Sequence, residues 1–204
     1  MARRKMSEAV RHLVSEAALV HAPTLEEARE LWAQLGASTE DAAPLRVRAL
    51  LGEAECFGMV AKWNEGVERA RTTIDLVRGE VLSGKVHRDP ELAIALARCS
   101  QVGGEGSGDA QDLAIREVAR TVEEISAALG ERRTIQLLEA AVAASESFNG
   151  AGPTQPLEAK FVLTAGTARA AGARNKPDSP ELARWAAATR PSSLAGWSCP
   201  ELLP

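Results

Sequence analysis

VRALLGEAECFGMVAKWNEGVERARTTIDLV, residues Val47 to Val77, holds two apolar stripes at helical spacing, separated by a short polar break. The first runs through Val47, Leu50, Leu51, Ala54 and Phe57, and the second through Val67, Ala70, Ile74 and Val77. Such a spacing puts one apolar face on each of two helices, and so short a break folds them back as an antiparallel pair. Pro44 suits the first turn of the first helix, and Asn64 is placed to cap the second.

The same periodicity continues on both sides, and no segment alternates as a strand would. Upstream, Ser7 caps a stripe of Val10, Leu13, Val14 and Ala17. Thr24 with Glu27 forms a capping box before Leu25, Ala28, Leu31, Trp32 and Leu35. Downstream, Asp89-Pro90 reads as cap and first-turn proline for Leu92, Ala95, Leu96 and Cys99. A glycine-rich segment, Gly103 to Asp109, reads as a loop. A long amphipathic helix then carries Ile115, Val118, Ala119, Val122, Ile125 and Leu129, with Arg116, Arg120, Glu123 and Glu124 on its polar face. Further helices start near Glu131, Pro156 and Pro180. Ser179 caps the last, whose inward residues are Leu182, Trp185 and Ala186. Thr164, Ala165, Ala168 and Gly172 give the Pro156 helix a small-residue face for close contact. The expected fold is all-α, with one helical domain over residues 1–190 and an extended, proline-bearing tail over 191–204.

Composition agrees with helices. Of 204 residues, 45% are apolar but only 3% aromatic, so Ala and Leu fill the core, and both favour helix. The net charge of −4 leaves no basic excess for a nucleic-acid surface. Cys56, Cys99 and Cys199 are widely spaced and odd in number, which fits a reducing compartment better than a disulfide framework. No apolar run approaches the about 20 residues of a membrane span, and polar residues interrupt any N-terminal signal core. These features point to the cytoplasm, with neither nucleic acid nor membrane as partner.

The opening hairpin is similar to one tetratricopeptide repeat, a helix–turn–helix unit. Leu50, Ala54 and Phe57 match the large–small–aromatic series of that family's first helix, and Trp63 its interhelix aromatic. Gly66, Ala70 and Thr73 stand where its helices cross. Arg78 occupies the place of the family's closing proline. The resemblance implies an irregular antiparallel superhelix of helix hairpins. A compact multi-helix bundle is the alternative, because the helix pairs recur at uneven spacing. It also implies a groove lined by first helices, with Arg48, Leu51, Glu55, Gly58 and Met59 at inward positions. The Lys and Asn of the family's carboxylate clamp are missing there.

Catalytic signatures are missing as well. Gly103 to Asp109 has neither the Lys of a Walker loop nor a preceding strand, and Glu105 and Asp109 would repel phosphate. His12, His21 and His87 are scattered, with no ligand-like spacing to another His or Cys, so neither metal nor cofactor is expected. Glu53, Glu55 and Asp75 are the acids that a fold could bring together for catalysis. The sequence thus leads first to a non-enzymatic module that binds a protein, a peptide or its own twin through Arg48, Leu51, Glu55 and Met59. A helical sensor with a small-molecule pocket is the second reading, bordered by the Pro156 helix and the Gly103–Asp109 segment.

Overall fold

The computed structural model describes residues 29–30, 32–34, 37, 43–84, 88–106, 108–147, 155–173 and 179–191. Seven helices are bounded within them: α1 (Ala43–Met59), α2 (Trp63–Leu82), α3 (Asp89–Glu105), α4 (Asp109–Leu129), α5 (Glu131–Ser147), α6 (Gln155–Ala173) and α7 (Pro180–Thr189). Among the described residues there is no strand, so the chain is all-α. The helices expected from Ser7 and Thr24 fall outside this set apart from short helical pieces at 29–30, 32–34 and 37. His12, His21, His87, Cys199 and the tail beyond Pro191 also lie outside it.

α1 and α2 form the expected hairpin. A Cβ on Gly66 would stand 3.1 Å from the Ala54 carbonyl oxygen, so the two backbones touch where the small residues fall. Ala70 and Thr73 continue that buried line. The connecting turn closes through Lys62 N–H to the Phe57 carbonyl (2.9 Å) and puts Ala61 at φ 58°. α2 begins at Trp63 with Lys62 as its cap, two residues before the expected start, so Asn64 lies inside the first turn. Trp63 packs beside Gly58 and Gly106, whereas the half-buried Phe57 ring lies under the Arg29 guanidinium, 5.3 Å from its centroid.

α3 decides the architecture. Leu92, Ala93, Ala95, Leu96, Ala97, Cys99, Ser100 and Val102 leave almost no side of it uncovered. It packs against α1, α2, α4, α5 and α6. A helix apolar nearly all round belongs at the centre of a bundle. In a stacked array each unit would meet only its neighbours. Here α6 reaches back to both α3 and α4, which is the bundle alternative. Asp89 is the first helical residue of α3 instead of its cap, and its carboxylate pairs with Arg133 of α5 at 2.6 Å.

Glycines expected in a loop turn out to be helical contact points. α3 continues through Glu105, so Gly103 and Gly104 belong to it. A Cβ on Gly103 would be 2.2 Å from the Ala114 Cβ, and one on Gly104 2.8 Å from the Glu158 Cβ. The absence of a side chain lets α4 and α6 approach the central helix on two sides. The true turn is short and uses Gly108 at φ 64°. Gly166 does the same for α4 and α6, since a Cβ there would meet Val118 at 2.5 Å. α7 closes the bundle on α5 and α6 with Leu182, Trp185 and Ala186 buried, as its pattern required.

Candidate functional site

α3 surfaces along one line. Ile94, Arg98 and Glu105 fall within a narrow arc of that helix by its 3.6-residue period, and none of the three is fully buried. α1 and α6 both pack on α3 but make no substantial contact with each other, so this line emerges between them. α1 runs parallel to α3, with Glu55 Oε2 3.4 Å from the Arg98 guanidinium. Met59 lies one turn toward the C-terminus of α1 and Ile94 one turn toward the N-terminus of α3, 46% and 39% exposed, so the two sit at opposite ends of this line. Leu157, 40% exposed, stands beside Glu158 in the first turn of α6. Among the described residues these three are the exposed large apolar side chains.

The residues expected from the hairpin lie along this seam. Arg48 is exposed, Leu51 is half-buried against the core, Glu55 holds Arg98, and Met59 projects into solvent. They form a single stripe of α1. Sequence reasoning missed the other side of the seam, namely Ile94, Arg98, Glu105, Leu157 and Glu158. One signal was available: Ile94 is a large apolar residue that falls off the Leu92–Leu96–Cys99 stripe.

The seam is acidic. Arg98 feels Glu55 and Glu105, and Glu105 in turn feels Glu158, while the exposed Arg48 stands further along α1. Burial raises the pKa of Glu105 above the ordinary glutamate range, and the neighbouring Glu158 raises it further. Burial alone raises that of Glu158. Arg98 donates to Gln101 Oε1 at 3.0 Å, and burial lowers its pKa while Glu55 and Glu105 oppose the shift. Glu55, Glu105 and Glu158 thus outnumber Arg98 and Arg48 by one, and burial acts on Glu105 and Glu158.

A second charged cluster joins α2 to α4 and is self-contained. Glu117, 4% exposed, meets Arg71 Nε at 3.3 Å and the Arg120 guanidinium. Arg78 joins Asp75 (2.6 Å) and Glu124 (2.9 Å), and Arg120 also reaches Asp75 at 2.5 Å. Arg71 also pairs with Glu68 of its own helix at 3.5 Å, so three arginines and four acids make this cluster a lock between helices. Arg78 and the α4 residues Arg120 and Glu124 belong to that lock instead of a simple solvated face. Glu53, Glu55 and Asp75 do not assemble. Glu53 pairs with Arg69 (3.1 Å), Glu55 with Arg98, and Asp75 with Arg78 and Arg120. Among the described residues no group of three or more His, Cys, Asp or Glu is arranged to hold a metal. Cys56 and Cys99 are buried thiols outside any disulfide, and burial drives the Cys99 pKa far upward, leaving it a core residue.

Comparison with known proteins adds no further constraint: no family model, no curated protein and no solved structure matches the chain. No described helix is long and apolar enough to cross a membrane.

Proposed function

We propose that this chain is a non-enzymatic interaction module that receives an amphipathic, basic helix of a partner protein along the α1–α3–α6 seam. The observation that carries this reading is the seam itself. A central helix covered by five others still presents Ile94 to solvent, and further along the same line, beside the C-terminal end of α3, Met59 on α1 and Leu157 on α6 are exposed as well. Large apolar side chains kept at a surface mark a contact site when they share a face. A helix laid on them would place apolar anchors at helical spacing on Met59, Ile94 and Leu157. Lysines or arginines on its flanks would meet Glu55, Glu105 and Glu158. The resemblance of the α1–α2 hairpin to a tetratricopeptide unit supports the same use, because the inward positions Arg48, Leu51, Glu55 and Met59 border this seam.

Selection from a library of displayed helical peptides tests the proposal. Wild-type protein should enrich peptides with an apolar stripe and basic flanks, and Ile94→Glu should abolish their binding while leaving the far-UV circular dichroism unchanged. Enriched peptides that bind Ile94→Glu and Met59→Glu as well as wild type would refute it. A concentration-dependent dimer abolished by Ile94→Glu would instead assign the seam to a second copy of this chain.

A further inference from the structure

A cavity of about 200 Å³ opens on the opposite face of α1 from that seam, lined by Trp32, Arg46, Leu50, Glu53 and Arg69. We infer that it is a binding site for a small zwitterion, an apolar α-amino acid, independent of the helix-docking seam. Two polar groups point to that chemistry. Glu53 is 3% exposed, and its Oε1 accepts no hydrogen bond, while Oε2 is held by Arg69 Nε at 3.1 Å. Arg29 comes no nearer to Oε1 than 3.7 Å, beyond hydrogen-bond length. A buried carboxylate oxygen left without a donor is costly, so the site calls for an N–H or O–H group there. Arg46 lines the same cavity and, among the described residues, pairs with no carboxylate. Its guanidinium, together with the remaining N–H groups of Arg69, can take a carboxylate.

A ligand that satisfies both ends carries an ammonium for Glu53 and a carboxylate for Arg46 and Arg69. Leu50 and the Trp32 ring supply the apolar wall for its side chain. Trp32 is itself fixed by close packing, because its ring fills the place where a Cβ on Gly52 would be, 2.3 Å from Cε2. The volume falls below the about 300–1,000 Å³ usual for drug-sized ligands, which limits the occupant to amino-acid size.

The test titrates L-leucine, L-methionine and L-phenylalanine to millimolar concentration into the full chain. The readouts are calorimetry and the indole N–H resonance of Trp32 in nitrogen-15-labelled protein. Saturable binding of at least one of them is expected, with a shift of the Trp32 resonance and none at Trp185. Arg46→Ala should weaken it by at least about tenfold, the equivalent of one charge-assisted bond. Glu53→Gln should weaken it while the matching 2-hydroxy acid is unaffected. Absence of binding by all three amino acids overturns the inference. So does binding indifferent to Arg46→Ala, or a 2-hydroxy acid that binds wild type as tightly as its amino acid. Ile94→Glu lies on the other side of α1 and leaves this titration unchanged, so the seam and the cavity stand or fall separately.

Discussion

Glu131 caps a helix that it does not belong to: its Oε2 accepts the backbone N–H of Leu182 at 3.4 Å and that of the preceding residue, Glu181, at 3.0 Å. The first turn of α7 is thus held by the first residue of α5. Ser179, the residue that the sequence puts at the cap, makes no side-chain capping bond, and its buried Oγ has no partner. Glu131→Ala should therefore cost about 1 kcal/mol, the usual worth of a cap, and fray α7. Ser179→Ala should be neutral or slightly stabilising, because it removes a buried hydroxyl that bonds to nothing. Urea denaturation of the two variants, with hydrogen exchange at Ala183, separates these outcomes.

Gly166 carries the α4–α6 contact in the same way that Gly66 carries α1–α2. Gly166→Ala gains about 1 kcal/mol of helix propensity. Its methyl group, however, would meet Val118 Cβ at 2.6 Å and the Ile115 carbonyl oxygen at 3.0 Å. A backbone oxygen cannot step aside, and overpacking of this kind costs about 1–3 kcal/mol. The expected net result is a loss of about 1 kcal/mol, read as a lower urea midpoint. Gly172→Ala, which meets nothing within 4 Å on the same helix, should be stabilising and is the control.

Ala61 offers the opposite case. Its φ of 58° costs an L-residue about 1–2 kcal/mol, whereas a glycine there costs about 0.5–1 kcal/mol in lost chain entropy. Ala61→Gly should stabilise the protein by about 0.5 kcal/mol. Thermal unfolding checks the sign, since a fall in the midpoint would mean that the turn is not held in the left-handed region.

The α2–α4 lock predicts a larger loss. Glu117 is shared by Arg71 and Arg120 and nearly buried, and burial raises its pKa against the opposing pull of Arg120. Glu117→Ala would leave three guanidiniums with only the exposed side chains of Glu68, Asp75 and Glu124 for partners. Removing one partner from a buried ion pair costs about 3 kcal/mol. Equilibrium unfolding of Glu117→Ala should show that loss, and Arg116→Ala, whose pairing with Asp112 is exposed, should show almost none.

Helix positions were legible because periodicity reports burial on one face. The stripes of α2, α4 and α7 are buried as their spacing requires. The caps expected at Asn64 and Asp89 fall instead at Lys62 and Arg88, two residues and one residue earlier, since a cap is a local bond that nearby side chains can take over or leave unmade. Gly103 and Gly104 misled for a physical reason. Glycine marks both a turn and a close helix crossing, and only the neighbours Ala114 and Glu158 tell the two apart. Arg69, one turn after Glu65 on α2, pairs with the buried Glu53 of α1, a partner that no spacing within α2 announces. Half of the candidate seam was readable on α1. The other half needed the packing of α3 between α1 and α6, which no one-dimensional spacing contains.

Acidity should act on the seam in a defined direction. Glu105 and Glu158 both have pKa values raised by burial, so between the ordinary glutamate value, about 4.3, and their folded values the folded state binds more protons than the unfolded one. Stability then falls as pH rises through that interval, and the penalty is complete above it. Glu105→Gln/Glu158→Gln should remove this part of the pH dependence, so that the double variant gains on wild type as pH rises from mildly acid to neutral. A cationic helix seated on the seam does the reverse. It favours the ionised carboxylates, so its affinity should increase over the same interval and its binding should release protons. Calorimetry of a selected basic peptide in buffers of different ionisation enthalpy measures that release. Binding that strengthens on acidification would separate the peptide from these two carboxylates and remove the electrostatic half of the docking proposal.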